Sequence, residues 1–184
     1  MKGVTRARLI CNVALIGFMG TGKTSVGHAL ASVLNFRMVD TDQMIEEQTG
    51  RRISDIFADD GEARFRELER ETIADLARHT RLVIATGGGA AANADNLSSL
   101  RSHALLVCLW ASPEAIWQRV RYQNNRPLLQ DPDPQAKIRR LLAEREPFYR
   151  QADVLVNTEL RSLKEVAAQV AHQFHMAQRP KYRK

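Results

Sequence analysis

One octapeptide constrains this chain more than any other feature. Residues 17–24 read Gly17-Phe18-Met19-Gly20-Thr21-Gly22-Lys23-Thr24, the spacing G-x-x-x-x-G-K-[ST] of a phosphate-binding loop. Its glycines let the backbone curl until several N–H groups point inward at phosphate oxygens. A helix starting at the end of the loop adds its partial positive charge. Lys23 is placed to reach the β- and γ-phosphates, and the Thr24 hydroxyl suits Mg²⁺. The mechanism needs a strand before the loop and a helix after it, and both flanks comply. Residues 9–16 are a short apolar run rich in β-branched side chains, as in a buried strand. Residues 24–34 carry Val26, Ala29, Leu30, Val33 and Leu34 at helical spacing. The loop thus predicts nucleotide binding through Gly20, Thr21, Gly22, Lys23, Thr24 and Ser25.

The rest of the chain repeats strand and helix in alternation. Strands are expected at 37–39, 82–85, 104–110 and 154–156. Helices are expected at 43–49 (stopped by Gly50), 61–79, from Pro113 to about 122, 135–146 (ended by Pro147) and 163–176, with one helical turn at 54–57. Residues 123–134 hold Pro127, Pro132 and Pro134 with little apolar pattern, and read as a loop. This order predicts a single α/β domain, a parallel sheet with helices on both faces. Ligands of such sheets bind outside the carboxyl ends of the strands. The remaining chemistry-bearing motifs fall at such ends or in loops that can fold over them.

The chain has 184 residues, enough for one domain with a core but few for two. No apolar run approaches the roughly 20 residues of a membrane span, and no signal-peptide pattern follows the basic first residues. Cys11 and Cys108 both lie in apolar, strand-like stretches, which suits buried thiols in a reducing cytosol. The formal charge of +6 fits either nucleic acid or an anionic small substrate. Much of the excess lies at the ends, in Lys2, Arg6 and Arg8 and in Arg179, Lys181, Arg183 and Lys184, as in solvated tails.

Asp40-Thr41-Asp42 follows the second strand. A carboxylate there suits a water-bridged Mg²⁺ or a base for a substrate hydroxyl, and in an extended chain both aspartates face one side. Asp42 equally suits the N-cap of the 43–49 helix. Arg66 stands four residues after Glu62 and four before Arg70, as in a solvated charge ladder, yet it lies beside apolar Phe65. Gly87-Gly88-Gly89 suggests close approach of a ligand to backbone. Arg126 opens the proline loop, where an arginine can close over phosphates or simply face solvent. Arg145 precedes Glu146-Pro147 at a helix end, where it also favours the helix dipole.

Taken together, the segments resemble the shikimate kinase family over roughly residues 10–175. The resembling elements are residues 17–25, Val39-Asp40-Thr41-Asp42, Gly50-Arg51-Arg52-Ile53 with Asp55-Ile56-Phe57, and Asp60-Gly61-Glu62 with Phe65-Arg66. They continue with Thr86-Gly87-Gly88-Gly89, Arg126-Pro127-Leu128-Leu129 and Arg145-Glu146-Pro147-Phe148-Tyr149. The phosphate loop is generic, whereas the ordered series is far more specific. The resemblance implies strand order 2-3-1-4-5 and a kinase domain at 10–176 with a lid at about 123–135, while the basic extension at 1–9 and the basic tail at 177–184 fit no family motif. It implies that Asp42 contacts the shikimate hydroxyls and activates one, and that Thr24 and Asp40 hold Mg²⁺. Arg66 and Arg145 would bind the shikimate carboxylate, and Gly87, Gly88 and Gly89 would line the pocket. Lys23 and Arg126 would reach the ATP phosphates, while Arg119 and Arg161 would flank the adenine.

The implied reaction is transfer of the ATP γ-phosphoryl group to the 3-hydroxyl of shikimate by a cytoplasmic monomer without nucleic-acid or membrane partners. The alternatives are a related small-molecule kinase, such as a gluconate or nucleoside monophosphate kinase, and a non-catalytic nucleotide-binding or nucleic-acid-binding regulator. The pairing of Arg66 and Arg145 with Asp42 favours an acceptor that carries both hydroxyls and a carboxylate.

Overall fold

The computed structural model describes residues 8–122 and 131–178. Five parallel strands form one sheet in the order β2-β3-β1-β4-β5, as the family resemblance implied. They are β1 (Asn12–Ile16), β2 (Arg37–Asp40), β3 (Leu82–Ala85), β4 (Ala104–Trp110) and β5 (Val154–Asn157). β1 lies at the centre, with Ala14 in register with Ile84 of β3 and Leu106 of β4. All five residues of β1 are buried, which explains why it reads as a continuous apolar run.

The helices are α1 (Lys23–Leu34), α2 (Thr41–Thr49), α3 (Ile53–Asp59), α4 (Gly61–Leu76), α5 (Ala94–His103), α6 (Pro113–Val120), α7 (Pro134–Tyr149) and α8 (Leu163–Gln178). Strand side chains alternate between two cores. Val13, Leu15, Val83 and Val107 meet Leu30 of α1 and Val170 and Phe174 of α8. Ala14, Ile16, Ile84 and Leu106 meet Ile73 of α4, Leu100 of α5, Ile116 of α6 and Ile138 and Tyr149 of α7. A third, small cluster of Ile45, Ile56 and Phe65 ties α2 and α3 to α4.

Several expected bounds shift. β1 begins at Asn12 rather than residue 9: its ladder with β4 starts there, opposite Ala104, and Asn12 turns its amide into a buried network. Its Oδ1 accepts from Leu82 N at 2.8 Å and its Nδ2 donates to His79 O at 2.7 Å. The single turn at 54–57 is a full α3, and α4 ends at Leu76 rather than residue 79. α5 was not expected at all. Its apolar face is narrow, essentially Leu97 and Leu100, but Asn93 caps it by accepting from Asp95 N and Asn96 N. α7 does not stop at Pro147 and continues to Tyr149. A proline costs one backbone hydrogen bond, and the last turn here is held by the packing of Phe148 and Tyr149 on the core. α8 runs two residues past its expected end, to Gln178.

Candidate active site

The phosphate loop joins β1 to α1 at the carboxyl edge of the sheet. Gly17 has φ +137°, and a Cβ there would stand 2.1 Å from Leu109 O, so no other residue fits. Thr21 Oγ1 donates to Phe18 O at 2.8 Å and fixes the curl. Lys23 Nζ donates to Gly17 O and Phe18 O, each at 3.0 Å, so the ammonium is folded over the loop. The loop borders a cavity of about 350 Å³ lined by Gly20, Gly22, Lys23, Thr24 and Ser25 together with Asp40, Asp42, Thr86, Gly88 and Arg119.

Asp40, not Asp42, caps α2. Its Oδ1 accepts from Asp42 N at 3.1 Å, and its Oδ2 accepts from the Thr24 hydroxyl at 3.0 Å. The helix begins at Thr41, so the chain is not extended between the aspartates, and Asp42 sits in the first turn. Both still line the cavity. Asp42 Oδ1 is buried without a hydrogen-bond partner. Burial, then the charges of Asp40 and Glu69, push the Asp42 carboxyl from 3.8 to about 6, while Lys23 pulls against them.

Thr24 and Asp40 offer one hydroxyl and one carboxylate, both facing the cavity. No group of three or more His, Cys, Asp or Glu among the described residues could cage an ion. That donor set fits Mg²⁺, which dehydrates reluctantly and takes most of its ligands from water and phosphate.

The triple glycine is where the distant charges meet. A Cβ on Gly87 would fall 2.6 Å from Asp42 Oδ1 and 3.0 Å from Glu69 Oε1. A Cβ on Gly89 would fall 2.8 Å from Arg66 Nη2. Gly88 O accepts from Arg145 Nη1 at 2.9 Å. The missing side chains therefore admit the protein's own carboxylates and guanidinium beside the backbone, and of the three glycines only Gly88 lines the cavity.

Arg66 keeps the charge-ladder contact expected from the sequence and adds an inward one. It pairs with Glu62 at 3.0 Å on the helix surface, and with Glu69 Oε2 at 3.0 Å on the inner side. Sequence reasoning missed Glu69, which is 1% exposed. The signal was a charged residue four positions after Phe65, on the face of α4 that also carries Thr72, Ile73 and Leu76. Burial raises the Glu69 carboxyl and Arg66 pulls it down. Asn96, from the unexpected α5, donates to Glu69 Oε2 at 3.5 Å. Tyr149, also missed as a site residue, donates its hydroxyl to Gly88 O at 3.0 Å.

Arg119 lines the cavity and bonds Gly20 O at 3.2 Å and Thr158 O at 2.6 Å. Arg161 is exposed, bonds Asn157 O at 3.3 Å and does not line the cavity. Arg126 and most of the expected lid lie outside the described residues.

The family model for shikimate kinase matches residues 19–175. A shikimate kinase of Thermodesulfovibrio yellowstonii is 44% identical over 163 residues, 89% of this chain and 94% of the relative. One from a Synechococcus species is 51% identical over 157 residues, 85% of this chain and 79% of the relative. The solved shikimate kinase of Acinetobacter baumannii, in complex with shikimate, superposes with a TM-score of 0.87 at 36% identity, covering 96% of this chain and 97% of that one. A gluconokinase of Sinorhizobium meliloti superposes with a TM-score of 0.55 at 16% identity, which shows a shared fold alone.

Proposed function

The chain belongs to the shikimate kinase family, and we propose from that membership how its residues divide the transfer of the ATP γ-phosphoryl group to the 3-hydroxyl of shikimate. One observation supports the division above the rest. Asp42, Arg66 and Arg145 come from three helices and converge on residues 87–89, beside the phosphate cavity.

Shikimate binds with its carboxylate between Arg66 and Arg145, whose planar forks suit a carboxylate better than a point charge does. Gly88 donates its backbone N–H to the bound acceptor. Asp42 takes the proton from the 3-hydroxyl, and a carboxyl pushed up to about 6 is largely ionised at neutral pH yet more basic than an ordinary aspartate. The hydroxyl oxygen bonds to the γ-phosphorus as the bond from that phosphorus to the β–γ bridging oxygen breaks. ADP leaves with that bridging oxygen. Lys23 and the loop amides hold the β- and γ-phosphates in line. Arg126 reaches the same phosphates from the lid, which closes to exclude water as a competing acceptor. Arg119 and Arg161 flank the adenine. Thr24 and Asp40 hold Mg²⁺, which when bound neutralises charge on the phosphate oxygens.

No helix among the described residues is long and apolar enough to cross a membrane, and the enzyme works as a cytoplasmic monomer. The test is ADP release from Mg-ATP with shikimate, gluconate, a nucleoside monophosphate or no acceptor. Release is expected with shikimate alone. Turnover with gluconate or a nucleotide and none with shikimate would reject the acceptor assignment.

A further inference from the structure

Arg145 is held from two sides, and the Tyr149 and Phe18 side chains involved have no part in the chemistry above. Its Nη1 donates to Gly88 O at 2.9 Å, and the Tyr149 hydroxyl donates to the same oxygen at 3.0 Å. Two donors occupy both lone pairs of that carbonyl and fix the plane of its peptide. On the other side, the guanidinium carbon lies over the Phe18 ring, 5.2 Å from its centroid. Phe18 is 1% exposed and Tyr149 8%, and both belong to one core cluster. Neither is able to swing after a ligand. A guanidinium stacked by one face and bonded at one nitrogen has its tilt and its direction set before any substrate arrives.

We propose that Phe18 and Tyr149 are positioning residues that preset Arg145 for the substrate carboxylate. Phe18 belongs to the phosphate loop, yet its side chain lines no part of the phosphate cavity. The loop therefore serves the acceptor as well as the nucleotide. This inference rests on the proposed role of Arg145.

Tyr149→Phe keeps the ring in the core and removes only the hydroxyl, so folding is preserved even if Phe18→Leu disturbs it. Tyr149→Phe is expected to raise the shikimate KM about fivefold, the worth of one net hydrogen bond. Phe18→Leu is expected to raise it about twofold to thirtyfold, the range of a cation–π contact. The ATP KM and kcat should stay within about twofold in both, because uniform acceptor binding is what is lost. Two readouts separate positioning from general loosening. In an Arg145→Lys background, where no planar fork needs orienting, neither substitution should cost more. With shikimate methyl ester as acceptor, neither should change KM. If Arg145→Ala itself leaves the shikimate KM unchanged, the carboxylate role of Arg145 falls and this inference with it. If Arg145→Ala raises KM strongly while Tyr149→Phe and Phe18→Leu do not, Arg145 keeps its role and the positioning inference is overturned. Effects that persist undiminished in the Arg145→Lys background overturn it equally.

Discussion

Replacing Asp42 by Asn is expected to stabilise the fold while destroying the activity, and the gain should depend on pH in a defined way. Asp42 Oδ1 is buried without a partner, beside Glu69 and Asp40. Its carboxyl rises from 3.8 in the unfolded chain to about 6 in the fold. Between these values the folded protein holds the proton more tightly than the unfolded one. Stability therefore falls as pH rises through that window, and the cost is complete above it. Each pH unit of difference is worth about 1.4 kcal/mol, so the ionised carboxylate costs about 3 kcal/mol at pH 8. Asn never ionises and escapes that cost. With a urea slope of about 2 kcal/mol per molar, the unfolding midpoint of Asp42→Asn should exceed that of the wild type by roughly 1.5 M at pH 8. The difference should shrink through pH 5 and vanish near pH 4. Shikimate-dependent ADP release should fall by about 10²-fold or more with the base removed. An equal or lower midpoint at pH 8, or a gain that ignores pH, would refute the reasoning. So would retained turnover, which would remove Asp42 from the chemistry.

The same charge cluster sets the pH dependence of the reaction. Glu69→Gln removes one of the charges that raise Asp42, so the acid limb of kcat/KM for shikimate should move to lower pH; an unmoved limb would mean that Glu69 and Asp42 do not interact. Gly89→Ala pushes a methyl group against the end of a flexible arginine, so it should raise the shikimate KM with little change in the melting temperature. Gly17→Ala drives a methyl group into the Leu109 carbonyl at positive φ, and no folded protein should be recovered. Asn12→Ala strips the Leu82 amide and the His103 ring of their buried partners. It should cost about 3 kcal/mol in urea unfolding, with kinetics at low temperature unchanged because the network lies at the opposite end of the sheet.

Legibility followed the range of the interactions. The phosphate loop was readable because its function is contiguous, with eight residues supplying the glycines, the ammonium and the hydroxyl. The strands β3 and β4 were readable to the residue because burial on both faces makes them apolar throughout. α5 was not, since its stability comes from an Asn93 cap and two leucines seated on β4 rather than from a broad apolar face. Pro147 read as a stop because a local rule was applied where packing of the following Tyr149 overrides it. Glu69 was passed over because a glutamate on a helix is ordinarily solvated, and nothing local says that Arg66 and Asn96 enclose this one.

By itself, the sequence determined the nucleotide loop, the alternation that makes a parallel sheet, and the set of charged residues available to an acceptor. Only the tertiary structure decided which of them meet. Arg145 reaches Gly88 from 57 residues away, and Asp42 and Glu69 approach each other through the space that Gly87 leaves open. Backbone chemistry over a few residues is written in residue type. The pairing of distant charges depends on helix placement, fixed by the burial of apolar faces that carry no record of what the opposite faces will touch.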